Sequence, residues 1–246
     1  INSGRHCEEP LLGISVTKQS RFLKRDCFVA TAKRWLLAMT VEKDIFMDDI
    51  IRQKFSEWTK GLNGQGARIA VFEHIRDIPY AIVPELRDPK RGPCGILEYN
   101  KGSCQPKHYL LALLFKEMGI IVKYATYPFK WKDCPIKYPA EIKEIVNNLP
   151  SAYHLAAKAY LNNKWVLVDA TNDLLLKKGG FPVNEKWDGA SDTLNAVVPS
   201  EEILHDTPEE RIAYELSKRS LYTEKEKALY AQFIDKLNSW LVELRK

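Results

Sequence analysis

The chain has 246 residues, which at roughly 150 residues per domain accommodates one sizeable domain with appendages. Its 45% hydrophobic, 11% aromatic and 28% charged residues match an ordinary globular protein and exclude a disordered, collagenous or disulfide-dense chain. The net charge of +5 comes from 37 basic and 32 acidic residues spread along the whole length without a Lys/Arg block, so no nucleic-acid partner is expected.

Residues 1–25 carry Gly4, Pro10 and Gly13 and no hydrophobic period, which reads as an irregular arm, and we place the boundary of an N-terminal arm at 1–43. Asp44 to Lys60 then puts Ile45, Phe46, Ile50, Ile51, Phe55 and Trp58 on one helical face, and Gly61 ends it. A second helix runs to about Asp77 with Ile69, Phe72 and Ile75 in one stripe. Pro79 to Gly102 is rich in Pro and Gly and reads as a long functional loop. It leads into Asn100-Lys-Gly-Ser-Cys-Gln-Pro-Lys-His108, where Pro106 suits the first turn of a helix and Gly119 the position just past its end. Cys104 therefore lies at a helix N-terminus. Tyr109 to Phe115 and Met118 are apolar nearly all round, as expected of a helix buried in the middle of a domain; the run is far shorter than the ~20 residues that span a bilayer.

Ile120 to Tyr127 reads as a strand, followed by a Pro- and Trp-bearing excursion with a helix over Ala140 to Asn148. Ser151 to Leu161 and Lys164 to Thr171 read as two strands joined by Asn162-Asn163, a pair that tolerates the positive φ of a tight hairpin turn. From Thr207 onward the chain is helical, with Tyr230, Phe233, Ile234, Leu237, Trp240, Leu241 and Leu244 in one stripe. The catalytic-type domain is drawn over 44–200 and a C-terminal helical extension over 201–246; there is no internal repeat.

Five cysteines (Cys7, Cys27, Cys94, Cys104, Cys134) without a CxxC pair fit neither a complete disulfide framework nor a zinc ribbon. A metal site from Cys94, Cys104, Cys134 and His154 lacks any short-spaced ligand pair, so no metal is expected, and no cofactor either. The helix start favours thiolate at Cys104 through its positive dipole end and its unpaired N–H groups; the plainer alternative is a small buried hydrophobe. If the hairpin turn is Asn162-Asn163, Ala156 faces Asp169, and His154 lies on the same sheet face one diagonal step away, within reach of the carboxylate. A one-residue slip would separate them. Asp at the end of Trp165-Val-Leu-Val is unusual in a strand and calls for a partner if buried. His108, one turn after Cys104, reads as a supporting or core histidine, and His74 has no adjacent acid of obvious reach. Aromatics at Tyr124, Tyr127, Phe129, Trp131 and Tyr138 either line a groove between the Cys helix and the His strand or cover the core.

The run Lys101 to Ile120 (KGSCQPKHYLLALLFKEMGI) resembles the nucleophile helix of the transglutaminase-like superfamily, and Tyr153 to Thr171 (YHLAAKAYLNNKWVLVDAT) resembles its His strand, turn and Asp strand. The resemblance covers about 100–171 and extends more weakly back to about 65, where a helix precedes Ile78-Pro-Tyr80. It implies an α+β, papain-like fold with the Cys helix packed on an antiparallel sheet, Cys104 as nucleophile, His154 as base and acid, and Asp169 as the carboxylate that orients it. Gln105-Pro106, Leu155-Ala156 and Ala170 depart from the family's usual residues, which counts against protein cross-linking. The implied chemistry is acyl transfer on a peptide, protein or amide substrate, with hydrolysis as the first expectation. A transamidase using an amine acceptor and a non-catalytic binding module are the alternatives. One oxyanion donor is the Cys104 backbone N–H, with Tyr80 as candidate for the second. A cytoplasmic location is the expectation; because the chain begins at Ile1, a removed leader stays open. Oligomeric state is not readable.

Overall fold

In the computed structural model, which describes residues 49–246, the Asn162-Asn163 turn sets the register of the sheet. Both residues have positive φ, 49° and 63°, the conformation a two-residue type I′ turn needs and Asn accepts. Strands β2 (Ala152–Leu161) and β3 (Lys164–Val168) are thereby paired Leu161 to Lys164 and Ala157 to Val168, the register expected from the sequence. Strand β1 (Val122–Phe129) pairs antiparallel with β2, Tyr127 facing His154, and β4 (Ile203–His205) closes the other edge. The order is β3-β2-β1-β4, antiparallel throughout. The three-residue β4 escapes sequence reading because so short an edge strand has no period to detect.

Alternation along the strands separates two apolar faces. Val122, Tyr124, Leu155, Ala157, Val166 and Val168 face a layer of helices: α1 (residues 49–58), α2 (Gly64–Asp77), α3 (Gly92–Tyr99) and α4 (Cys104–Glu117). Ala125, Tyr127, Phe129, Ala156 and Leu167 face the other core, with α5 (Ala140–Val146) and α7 (Glu224–Arg245). The expected α+β class, with the Cys104 helix on an antiparallel sheet, is what the structure shows. Helix α4 buries Tyr109, Leu110, Leu111, Leu114 and Phe115, so its apolar circumference marks a central helix. Along α7, Tyr230, Phe233, Leu237 and Leu241 are buried, with Ile234, Trp240 and Leu244 packed beside them. A separate helix α6 (Pro208–Arg219) precedes it, each with a threonine N-cap: Thr207 accepts from Glu210, and Thr223 forms a capping box with Glu226.

Three boundaries are corrected. The expected Pro79–Gly102 loop contains a 3₁₀ turn (Pro84–Arg87) and α3. Pro93 sits in the first turn of α3, and Asn100 stops it at φ 47°. Gly92 and Gly95 are not breakers there but close contacts: a Cβ on Gly95 would lie 2.3 Å from Leu86 Cδ2, and one on Gly92 2.7 Å from Leu86 O. The first strand starts two residues later than expected, at Val122. β3 ends at Val168, because the Asp169 N–H turns to the Thr193 hydroxyl (2.9 Å) instead of the ladder. The expected arm over 1–43, Cys7, Cys27 and the first part of the Asp44–Lys60 helix lie outside the described residues. Ile50–Lys246 form a single unit by their contacts. No described helix is long and apolar enough to cross a membrane.

Candidate active site

Cys104 is the first residue of α4, after the extended Ser103. Its position is set by backbone: the Gly102 N–H donates to Pro79 O (3.1 Å), and the Ala81 N–H donates to Gly102 O (3.2 Å), so the chain before Cys104 runs beside Tyr80 as a short parallel bridge. A Cβ on Gly102 would lie 2.8 Å from Ile96 Cδ1 and 2.9 Å from Pro106 Cγ, so only glycine fits without displacement. The Cys104 N–H, in the first turn of the helix, has no intrahelical acceptor and points out of the helix start with the positive end of the dipole.

The hairpin brings His154 to Asp169. His154 Nε2 lies 2.8 Å from Asp169 Oδ2, and the two residues are 3% and 1% exposed. Asp169 is fixed by donors on both oxygens: Ala196 N–H on Oδ2 (2.8 Å) and Thr171 N–H on Oδ1 (3.1 Å). Asn184 Nδ2 also donates to its backbone carbonyl (3.0 Å). With Nε2 committed to Asp169, Nδ1 of His154 is the nitrogen left for the neighbouring Cys104 thiol. The three expected residues thus meet in one place.

Electrostatics in the site follow from burial set against pairing. Burial disfavours the Cys104 thiolate, but the adjacent His154, by charge and hydrogen bond, and Arg211 together hold the thiol below its ordinary range. Burial likewise opposes charge on His154, yet the Asp169 carboxylate and the Cys104 thiolate push it up to about 10. Against its own burial, Asp169 is held well below the usual carboxylate range, chiefly by His154. The arrangement favours the thiolate–imidazolium pair over its neutral form.

His108 takes the supporting place expected of it. The Ala170 N–H donates to its Nε2 (3.0 Å), which makes Nδ1 the protonated nitrogen, facing Cys104 O at 2.8 Å. Burial pushes its pKa down to about 4, so it stays neutral and ties the Cys104 turn to the Asp169 loop. Lys107, fully buried, does the same from the next position, donating to Arg76 O (2.8 Å) and Thr171 O (2.7 Å). His74 stacks on Trp58, ring centroids 4.8 Å apart, away from this site.

Cys104 and His154 open onto a cleft. Phe129, Trp131, Ile136, Phe181 and Val197 form its apolar lining, and Tyr80 lies near Cys104. Of the five aromatics expected at a groove, only Phe129 and Trp131 line it. Tyr124 points to the opposite sheet face against Tyr109 (6.0 Å), Tyr127 flanks the His154 ring (6.2 Å) and bonds Glu202, and Tyr138 packs on Trp240 (5.9 Å). Strand alternation explains Tyr124, which has the parity of the α4 face.

The sequence reading missed the charged side of the cleft, which α6 and the 3₁₀ turn supply. Glu215 is buried and accepts from Gln105 and Arg211 on Oε2 and from Arg219 on Oε1 (2.5 Å). Arg211 is 0% exposed and also donates to Tyr153 O (2.9 Å), the residue before His154. Burial would raise Glu215, but Arg211 and Arg219 hold it down and charged. The signal was the spacing Arg211, Glu215, Arg219, which ordinarily marks a solvated helix face. Among the described residues no group of three or more His, Cys, Asp or Glu could hold a metal ion.

No protein-family model and no curated protein matches the chain. A solved structure from Cytophaga hutchinsonii named "Putative Cysteine Protease" is similar over 65% of this chain, at 17% identity and a TM-score of 0.36; the match spans 50% of that chain.

Proposed function

We propose that this protein is a cysteine-dependent hydrolase of peptide or amide bonds, of the transglutaminase-like type, acting through a thioester on Cys104. The observation that carries the reading is the seating of His154 between the Asp169 carboxylate, 2.8 Å away, and the Cys104 thiol, at the floor of an open cleft. A cysteine, a histidine and a carboxylate so ordered are the parts of nucleophilic acyl transfer.

The Cys104 thiolate adds to the carbonyl carbon, and the oxygen takes up the negative charge facing the Cys104 N–H at the helix start. Tyr80 is our candidate for the second donor: it lines the cleft, and burial together with the Cys104 charge raises its pKa, so it keeps its proton. As the tetrahedral centre collapses, His154 Nδ1 gives its proton to the departing amine, the C–N bond breaks and a thioester remains. His154, now neutral, takes a proton from water; the hydroxide adds to the thioester, the C–S bond breaks, and acid product and thiolate are released. Asp169 stays ionised and holds the imidazolium in place.

The test is alkylation of the native protein by iodoacetamide near pH 6, mapped by mass spectrometry, alongside cleavage of a peptide library by wild type and Cys104→Ala. Selective labelling of Cys104, slowed by His154→Ala, together with cleavage lost in Cys104→Ala supports the reading. Equal, slow labelling of all cysteines overturns it.

A further inference from the structure

The charges around the cleft do not balance. Three guanidinium groups, Arg87, Arg211 and Arg219, gather about a single carboxylate, Glu215. Glu215 is fully engaged by Arg211, Arg219 and the Gln105 amide. Arg219 is further held over the Tyr230 ring, 4.8 Å from its centroid. Arg87 is different: it is half-buried, it lines the cleft, and among the described residues its side chain has no hydrogen bond and no ion pair. Cys104, His154 and Asp169 carry one net negative charge as an ion pair, which leaves the region one cation in excess. Once the sulfur is acylated and His154 has given up its proton, both charges are gone together and the excess of one cation remains.

A guanidinium in a partly desolvated wall lacks the hydration it has in bulk water, and a carboxylate that pairs with it bidentately replaces that hydration. Gln105 bonds Glu215 and directly follows Cys104, so the cationic cluster begins one residue from the nucleophile. We propose that the Gln105 side of the cleft is a carboxylate subsite in which Arg87, backed by Arg219, receives an acidic group of the substrate near its scissile amide. The proposal rests on the hydrolase reading for what happens to that substrate, but not for the binding of the carboxylate. A peptide offers the group from an Asp or Glu side chain or from a free C-terminus.

Alkylation tests the subsite without turnover. Iodoacetate and iodoacetamide react alike, the thiolate displacing iodide as the C–S bond forms and the C–I bond breaks, and differ in charge. The ratio of their rates at Cys104 is expected to exceed that for glutathione, and Arg87→Gln to lower it by about fivefold, as for one partly exposed charge pair. Arg87→Lys should restore part of the ratio, and Lys90→Gln, exposed and outside the cleft, should leave it unchanged. The His154 charge also attracts iodoacetate, so the Arg87→Gln comparison is the decisive one: an unchanged ratio in the folded variant overturns the proposal.

Matched peptides then separate the sources of the carboxylate. Faster cleavage of a Glu than a Gln peptide, dependent on Arg87, supports a side-chain carboxylate, and faster cleavage of a free acid than a terminal amide supports a C-terminal one. If the Arg87-dependent ratio holds while no peptide is cleaved, the hydrolase reading falls and the subsite stands. Cleavage without either preference, with an Arg87-independent ratio, overturns the subsite alone.

Discussion

Asp169→Asn keeps the shape of the side chain and removes its charge from beside an imidazole that is 3% exposed. The two groups are 2.8 Å apart at their nearest atoms. With ~4 Å between charge centres and an effective dielectric constant of about 20, the attraction is ~4 kcal/mol. That energy favours thiolate–imidazolium over the neutral thiol–imidazole pair, and at about 1.4 kcal/mol per decade it bounds the loss of reactive thiolate near ~1000-fold. Asn also retains only one carbonyl for the two backbone donors, Ala196 and Thr171, that now share the carboxylate. The assay is the rate of iodoacetamide labelling of Cys104 as a function of pH. Wild type should label at pH 6, whereas Asp169→Asn should be slower there by about a hundredfold or more and approach wild type only in the alkaline range, where any thiol ionises. Circular dichroism confirms that the variant is folded. A folded Asp169→Asn that labels within twofold of wild type at pH 6 would refute the argument that this carboxylate maintains the ion pair.

Other perturbations bear on the parts around the triad. Arg211→Met leaves buried Glu215 short of a partner and should cost about 3–5 kcal/mol in urea unfolding at neutral pH, with Arg211→Met/Glu215→Leu recovering part of the loss. Gly102→Ala should cost about 1–3 kcal/mol and slow Cys104 labelling, because its Cβ would press on Ile96 and Pro106; adding Ile96→Val should relieve it. Burial holds Lys107 down at about 7, below its unfolded value. Between about pH 7 and 10 the unfolded chain therefore binds the extra proton, and the contribution of this group to stability rises with pH across that window. Lys107→Met should remove that rise from a series of urea midpoints; an unaltered pH slope would contradict the assignment.

The His154–Asp169 pair and the helix start at Cys104 were legible because each is local, whereas their meeting was implied only by the family resemblance. Two asparagines that accept positive φ determine the hairpin register, register puts His154 and Asp169 on one face, and the Gly-Ser-Cys-x-Pro pattern announces a helix start. The Gly92–Tyr99 helix was hidden because its glycines serve close packing against Leu86 rather than a turn, and sequence alone does not distinguish the two uses. The Arg211–Glu215–Arg219 cluster was hidden for a related reason: its spacing is that of a solvated face, and its burial arises only from the way α6 lies over the start of α4 and the His154 strand. Tyr124 was over-assigned to the cleft because strand parity sends it to the face opposite Phe129.

Arg245 donates to the carbonyl of Tyr80 (2.8 Å), a residue 165 positions earlier, and to Asp173, whose carboxylate in turn accepts the Tyr80 N–H (2.8 Å). The strand-like stretch beside Cys104 is thus clasped by a side chain from the last turn of α7, so fraying of that helix is transmitted to the cleft through Tyr80 without touching Cys104, His154 or Asp169.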